Sequence, residues 1–393
     1  MAASVGATLP AALRSPAAPE SARSEIVIHV ASPAGPPPLG APVETSVPFP
    51  QGELRSPEKL AVVGPHGKPV LAQMRSGLHW PDGTIRWLVV VFEASAGAGD
   101  YVLMPASAPV APLLVAEEST KIVINSGEVA FTVPRAGDAW PQTICALGVN
   151  GEFVPVVTGR AAGDLVLTRH DGVRFRASLA AESGRLHIEE RGPLRARIRL
   201  DGECRADDAQ KLFNYIIRWT VYRGRPELLV DVTWINTTDQ PSEQLRDIRL
   251  AFPFEFEPNR LVIGCETGVF DGPFLKNFPI QLLQDDHNRY WARKRNPDGR
   301  VQNLSSGGCN GERCPGWLYA SNNECCLGIW VPNFWEEYPN ELALREGELS
   351  VGLWPEGATG HLLSKPQLSA RPDKQERYKL TNYWPVILGV TWR

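Results

Sequence analysis

The segment that most constrains the fold of this chain is His79-Trp80-Pro81-Asp82-Gly83-Thr84-Ile85-Arg86-Trp87, in which tryptophans flank a Pro-Asp-Gly turn. Turns of this composition join antiparallel strands, so the segment predicts a β-hairpin with charged and aromatic side chains at its tip. Residues 88–92, which follow, are all apolar and rich in valine. Such a run is typical of a strand that is buried on both faces, and it predicts a rigid support for the turn.

Composition extends this expectation to the whole chain. The 393 residues include 35 glycines, 35 prolines and 12 tryptophans, which favours many short strands and turns over a helix-rich architecture. The net charge is -4 and no long basic run occurs, so nucleic acid is not an expected partner. No run of 18 apolar residues is present, and we expect no membrane partner.

The chain is predicted to be all-β and to contain two domains. Residues 1–24 are mostly Ala, Pro and Ser and are predicted to be a disordered tail without a recognisable signal peptide, which leaves the location open between the cytoplasm and export. Residues 25–112 predict a small barrel that ends in an Ala/Pro-rich linker. Residues 113–393 predict one large antiparallel β-sandwich.

Several strands carry specific expectations. Residues 47–52 are too rich in proline for a central strand and are predicted to be an edge or a loop. Residues 173–179 and 194–200 alternate apolar and polar side chains, which predicts strands with one dry and one wet face; Arg195 falls on the wet face. Residues 212–221 and 227–235 predict a long hairpin.

Four of the seven cysteines lie close together in the sequence: Cys309, Cys314, Cys325 and Cys326. Their spacing departs from the paired knuckles that hold zinc, so no metal and no cofactor is predicted. Buried thiols are the default interpretation. A disulfide from Cys309 or Cys314 to Cys325 or Cys326 is the alternative for an exported protein.

Residues 285–291 contain the densest group of chemically useful side chains. His287 and Tyr290 are candidates for acid and base, and Arg289 is a candidate to neutralise charge, in abstraction of a proton next to a carboxylate. This set would suit a uronate lyase. The alternative is a solvated charged face with His287 in a loop. His361 is a reserve candidate for the base.

Aromatic and polar residues recur together at three further places, residues 313–317, 333–339 and 353–355. Aromatic rings stack on the C–H groups of sugars, while neighbouring polar groups bind hydroxyls and carboxylates. Core packing and turn formation are the alternative roles for these side chains. The candidate substrate-binding residues are Trp80, Asp82, Arg86, Arg313, Trp317, Trp335 and Tyr338.

Five motifs, in this order, resemble the exo-rhamnogalacturonan lyase family. They are Val47-Pro-Phe-Pro-Gln-Gly52, Trp80-Pro-Asp-Gly-Thr-Ile-Arg-Trp87, Arg313-x-Pro-Gly-Trp317, Phe334-Trp335 with Tyr338-Pro339, and Leu353-Trp354-Pro355. The resemblance implies a small RIFT-type barrel, then a β-sandwich, then an α/α toroid. The sequence has no long helical region, so we expect the toroid to be missing and activity not to follow from the resemblance alone.

Two functions follow as hypotheses. The first is a carbohydrate-active protein of lyase ancestry that acts on a uronate-containing polysaccharide, such as rhamnogalacturonan, by β-elimination, with Tyr290 or His287 as the base and Arg289 stabilising the enolate. The second is a binding or accessory module for an acidic polysaccharide or oligosaccharide, which depends on a separate α/α toroid chain as partner. A degenerate relative without activity is a third interpretation.

Overall fold

A computed structural model of the chain describes the greater part of its residues. The described ranges are 25–31, 40–136, 139–159, 161–180, 186–237, 245–304, 309–345, 347–356 and 383–392. The predicted tail at residues 1–24 and the reserve candidate His361 lie outside them. The chain divides into two compact units, Met1–Val110 and Ala111–Arg393.

The fold is all-β, as the composition predicts. The described elements are thirty strands and one short 3₁₀ helix, η1 (Ser178–Ala180). No helix in this part of the chain is long and apolar enough to cross a membrane.

The first unit is a small assembly of two antiparallel sheets, one with the strand order β1-β7-β3-β4 and the other with the order β2-β6-β5. Its strands are β1 (Ile26–Val30), β2 (Ala41–Pro48), β3 (Leu60–Val63), β4 (Pro69–Val70), β5 (Ala72–His79), β6 (Ile85–Ala94) and β7 (Gly99–Pro105). One apolar cluster, which includes Val62, Leu88, Phe92 and Tyr101, forms its core.

The predicted hairpin is confirmed and consists of β5 and β6. All five residues of the run 88–92 are buried, as expected for a strand covered on both faces. Gly83 adopts a φ of +81° in the turn, a conformation that glycine tolerates best. Val47 and Pro48 end the edge strand β2, and Phe49 N donates to Arg86 O at 2.9 Å, so the proline-rich segment lies against the hairpin.

The second unit begins with a five-stranded antiparallel sheet in the order β12-β11-β10-β9-β8. Its strands are β8 (Val115–Glu117), β9 (Lys121–Asn125), β10 (Val129–Pro134), β11 (Ile144–Leu147) and β12 (Phe153–Val157). Phe131 and Trp140 of this sheet region pack against Trp219 and Tyr215, with ring centroids 6.0 and 5.8 Å apart. The five strands therefore share the core of the strands that follow.

Those strands form the sandwich. They are β13 (Asp164–Arg169), β14 (Arg174–Arg176), β15 (Leu186–Arg191), β16 (Arg195–Arg205), β17 (Lys211–Tyr222), β18 (Glu227–Ile235), β19 (Leu245–Pro253), β20 (Arg260–Cys265), β21 (Gly268–Pro273), β22 (Ile280–Asp286), β23 (Arg289–Arg295), β24 (Val301–Asn303), β25 (Asn310–Gly311), β26 (Trp317–Ser321), β27 (Cys325–Trp330), β28 (Asn340–Arg345), β29 (Glu348–Trp354) and β30 (Tyr383–Trp392).

The pairing pattern arranges these strands in two layers. One runs β15-β16-β17-β18-β30-β27-β26-β20-β21, and the other runs β13-β19-β29-β28-β22-β23. Strand β14 pairs with both β13 and β16, so it links the two layers at one edge. Buried apolar side chains from both layers, among them Ile217, Val230, Leu250 and Leu342, belong to one cluster, which is the core of the sandwich.

The expected long hairpin is confirmed as β17 and β18, and the alternation in β16 is confirmed for Ala196, Ile198 and Leu200, which are buried. Arg195, however, was expected on the wet face and is fully buried. It donates to both carboxylate oxygens of Glu190, at 2.7 and 2.8 Å, and this paired charge is what allows an arginine to be buried there.

The strand predicted over residues 173–179 is shorter than expected and ends at Arg176. Ser178 N and Oγ both donate to the buried Asp164 carboxylate, at 3.0 and 2.7 Å, and the chain turns into η1. The alternation of residue types cannot reveal this bond, because its acceptor lies in another strand.

The buried-thiol expectation is confirmed for five cysteines, which are Cys204, Cys265, Cys309, Cys314 and Cys325. Cys145 and Cys326 are half-buried. Cys309 forms a hydrogen bond with Cys265, a residue from a different part of the sequence. This bond lowers the pKa of the Cys265 thiol to about 7 and raises the pKa of Cys309.

Candidate functional site

Three connections between strands meet at one end of the sandwich. They are the β22–β23 turn at residues 287–288, the β25–β26 connection at residues 312–316, and the β27–β28 connection at residues 331–339. Val331 N donates to Gly316 O at 2.9 Å, and the rings of His287 and Tyr338 lie 6.1 Å apart. We call these three connections the loop cluster.

A buried side-chain amide joins the first two connections. Gln284 in β22 has no exposed surface. Its Nε2 donates to Asp286 O at 2.6 Å and to Glu312 O at 2.7 Å, while its Oε1 accepts from Cys314 N at 2.9 Å. One side chain therefore holds the backbone directly before the turn, at Asp286, and the backbone of residues 312–314.

A second buried amide lies beside it and holds the third connection. Asn340 in β28 is the register partner of Gln284. Its Nδ2 donates to Phe334 O at 2.9 Å and to Glu337 O at 3.0 Å. Sequence reasoning did not identify Gln284 or Asn340, because both strands contain several other polar residues and their sequence does not show which of these are buried.

Tyr290 supports the loop cluster from inside. Its side chain is buried, and its hydroxyl oxygen accepts a hydrogen bond from Glu266 N at 2.9 Å. Glu266 Oε2 in turn accepts from Glu312 N at 2.8 Å. Burial raises the pKa of Tyr290 to about 12, so deprotonation near neutral pH is unfavourable. A role for Tyr290 as the base stays a prediction, and this placement favours His287 over it.

We expect Tyr290→Phe to lower the free energy of unfolding by about 1 kcal/mol, because Glu266 N loses its acceptor. Tyr319→Phe is the matched control, since the Tyr319 hydroxyl has no hydrogen-bond partner among the described residues, and it should change stability little. Denaturant titration of both variants checks the difference. Equal effects would contradict the supporting role of the Tyr290 hydroxyl.

His287 lies exposed in the turn, with its Nδ1 2.6 Å from Asp286 Oδ1. Hydrogen bonds from the His287 side chain and backbone lower the pKa of Asp286, so this group is an ionised acceptor. A neutral imidazole must then carry its hydrogen on Nδ1, and its Nε2 keeps a lone pair. Within the described ranges Nε2 has no hydrogen-bond partner, so His287 can accept a proton from a ligand.

Two arginines, Arg313 in the loop cluster and Arg289 directly after its first turn, differ in whether their guanidinium groups are already paired. Arg289 donates to both oxygens of Asp285, at 2.9 and 2.7 Å, and this bond raises its pKa. The Arg313 guanidinium stacks over the Trp335 ring, 4.8 Å from the ring centre, and within the described residues no carboxylate pairs with it. Arg313 is thus the better placed of the two to bind an external anion.

Aromatic rings extend from the loop cluster onto the sheet. Trp317 in β26 pairs across the strands with Trp330 in β27, whose side chain is 45% exposed. Trp317 also stacks on Tyr319 with a centroid distance of 6.4 Å. A Cβ on Gly264 would lie 2.3 Å from the Trp317 ring, so glycine allows this ring to lie flat. Trp330 was not singled out from the sequence.

The loop cluster also contains three carboxylates. Glu312 and Glu336 are exposed, and Glu337 is half-buried. Burial raises the pKa of Glu337. These groups can accept hydrogen bonds from sugar hydroxyls, but they weaken the attraction of the site for an anion. The described residues contain no group of three or more His, Cys, Asp or Glu that could hold a metal ion.

The other candidates lie in the first unit, in the β5–β6 turn. Asp82 Oδ1 accepts from Thr84 N and Oγ1, at 3.0 and 2.6 Å, and these bonds lower its pKa. Trp80 Nε1 donates to Phe49 O at 2.9 Å, and Arg86 stacks 4.7 Å from the Trp80 ring. All three side chains contribute to the turn, and contact with a substrate stays a prediction for them.

Comparisons with known proteins agree with the motif resemblance. Residues 33–106 match the PcRGLX-like N-terminal RIFT barrel domain, and residues 113–261 match the PcRGLX-like protein central β-sandwich domain. The uncharacterized protein YetA of Bacillus subtilis (strain 168) is 22% identical over 375 residues, which cover 82% of this chain and 43% of YetA.

Two solved structures share the fold at low sequence identity. An α-mannosidase from Enterococcus faecalis V583 aligns with a TM-score of 0.50 and 12% identity, over 90% of this chain and 41% of the mannosidase. A glycosyl hydrolase family 38 protein from Enterococcus faecalis aligns with a TM-score of 0.50 and 12% identity, over 96% of this chain and 45% of that protein.

The chain spans less than half the length of each of these three proteins. Its two matched domains are nevertheless those that the motifs indicate, in the same order, and they are domains of carbohydrate-active proteins. The chain therefore belongs to the PcRGLX-like family, of which it contains the N-terminal RIFT barrel and the central β-sandwich.

Proposed function

We propose that the loop cluster binds a uronate-containing polysaccharide and cleaves it by β-elimination. The observation that carries this proposal is the exposed His287, whose Nδ1 is bound to the Asp286 carboxylate and whose Nε2 is open to a ligand. An imidazole oriented in this way can act as a general base through its Nε2.

The proposed reaction uses two side chains of the loop cluster. His287 Nε2 takes the proton from C5 of the uronate, while Arg313 binds its carboxylate and stabilises the enolate that forms. The electron pair then forms the C4–C5 double bond, and the glycosidic oxygen leaves and takes a proton from water. Trp335 orients Arg313, because the guanidinium stacks on its ring.

The proposal is tested by the ultraviolet absorbance of unsaturated uronate during incubation with rhamnogalacturonan, pectin, alginate and glucuronan. We expect absorbance to rise with one of these polymers and His287→Ala to slow the rise by about 100-fold or more. Arg313→Ala should raise KM and lower kcat, because both the carboxylate and the enolate lose their cation. Tyr290→Phe should leave the rate close to that of the wild type, provided that the variant is folded.

His66→Ala is the control, since His66 lies exposed in a turn of the first unit and belongs to none of the three connections of the loop cluster. It should behave as the wild type does. If His287→Ala cleaves as fast as His66→Ala, the assignment of the base is wrong; if Tyr290→Phe alone abolishes cleavage, Tyr290 is the base.

One observation favours a second function, binding of a glycan without cleavage. The connections that carry Arg313 and Trp335 also carry Glu312, Glu336 and Glu337, and these carboxylates oppose the binding of a uronate anion. An accessory module, including one that works with a separate toroid chain, would show saturable changes in tryptophan fluorescence with no rise in absorbance. Loss of that binding in Arg313→Ala, with no turnover by the wild type, would support this function.

A further inference from the structure

A pocket of about 560 Å³ lies at the end of the sandwich opposite the loop cluster. It is formed by the β19–β20 connection at residues 254–259, the β21–β22 connection at residues 274–279, and Gly347. Strand β22 begins at this pocket and ends at the loop cluster, so its seven residues separate the two sites. The volume falls within the range of pockets that hold small ligands.

Apolar rings line the pocket. Phe254 and Phe274 are buried, with 5% and 6% of their surface exposed, and Phe256 and Phe278 are half-buried. The rings of Phe254 and Phe256 lie 4.8 Å apart. Leu275 is 52% exposed at the same place. An apolar concavity of this kind gains free energy when a ligand with an apolar face covers it.

The rim is polar, and Lys276 is the only cation among the described residues that line the pocket. Lys276 Nζ lies 3.3 Å from Glu257 Oε1, so these two charges compensate each other. Glu255 and Asn277 are exposed, and neither has a hydrogen-bond or ion-pair partner among the described residues. Lys294 Nζ lies 5.6 Å from the Phe278 ring centre, but Lys294 does not line the pocket.

We propose that this pocket is a second glycan-binding site, which takes a neutral pyranoside ring. The phenylalanine rings would stack on the C–H groups of the sugar, and Glu255 and Asn277 would bind its hydroxyls. A uronate would meet Glu255 without a free cation and is disfavoured. The choice of a glycan as ligand rests on the proposed function; the location and charge preference rest on the pocket alone.

The test uses the full chain and measures the binding of lactose, cellobiose and maltose by titration calorimetry and saturation-transfer NMR. We expect at least one of these disaccharides to bind, and Phe278→Ala and Phe256→Ala to weaken its binding by about tenfold. Phe270→Ala is the matched control, because Phe270 is a half-buried residue of the neighbouring β21 that does not line the pocket. Glu255→Ala removes a hydroxyl partner, leaves the phenylalanine rings in place and should also weaken binding.

His287→Ala and Arg313→Ala should leave the binding of the neutral disaccharide unchanged, which separates this proposal from the proposed function. The proposal is overturned if none of the three disaccharides binds. It is also overturned if the pocket variants bind as tightly as Phe270→Ala, or if digalacturonic acid competes for the pocket as well as the neutral sugar does.

Discussion

Replacing Gly316 by alanine is expected to lower the free energy of unfolding by about 2–5 kcal/mol. Gly316 has a φ of +75°, which costs an alanine about 1–2 kcal/mol. A Cβ at this position would lie 2.2 Å from Phe334 Cβ and 2.8 Å from Val331 O. Phe334 is buried and has no space to move into. The added methyl group would therefore force the connections at residues 312–316 and 331–339 apart.

Gly299→Ala is the matched control for this prediction. Gly299 has a φ of +84°, but nothing lies within 4 Å of the Cβ that an alanine would add. It should therefore show the backbone cost alone, about 1–2 kcal/mol. Denaturant unfolding followed by tryptophan fluorescence measures both variants. Equal losses would mean that residues 331–339 adjust freely around position 316.

Gly316 is the point at which two motifs that are separate in the sequence come into contact in the fold. The pattern Arg313-x-Pro-Gly-Trp317 supplies the glycine, and Phe334-Trp335 supplies the ring that packs on it. Sequence inspection identified both motifs but had no means to pair them, because contacts between distant segments leave no periodic signal.

Local patterns predicted the all-β class and the hairpins, since those depend on the alternation of residues and on turn composition. The prediction succeeded for the turn at Gly83 and for β17 with β18. It failed for Arg195, because the partner that allows its burial, Glu190, lies in another strand. It also missed the contact of Cys309 with Cys265, whose chain positions are far apart.

The candidate site was predictable only as a set of residue types. Chemistry singled out His287, Arg313, Trp335 and Tyr338, and the fold brings them to one end of the sandwich. The sequence did not show which of the candidate side chains are exposed or which are already paired with another residue. Tyr290 is buried while His287, three positions before it, is exposed, because the turn ends between them and β23 directs Tyr290 inward.

Replacing Gln284 by leucine is expected to lower the free energy of unfolding by about 3 kcal/mol and to weaken glycan binding at the loop cluster by at least about tenfold. Leucine has a similar size but can make none of the three hydrogen bonds to Asp286 O, Glu312 O and Cys314 N. Buried backbone groups without partners favour conformations in which the segments separate and reach water.

If Gln284 only stabilised the fold, its replacement would change stability alone. The experiment therefore also measures the order and the glycan affinity of the loop cluster. Hydrogen–deuterium exchange of residues 312–316 should accelerate in Gln284→Leu under conditions in which the variant is fully folded. Gln281→Leu is the control, because Gln281 lies in the same strand and its side-chain amide donates to Glu341, outside the loop cluster. That variant should lose about 1 kcal/mol and keep its glycan affinity. If Gln284→Leu retains both the protection of residues 312–316 and the affinity of the control, the loops are ordered by their own contacts, such as that between Gly316 and Val331, and Gln284 does not position His287 or Arg313.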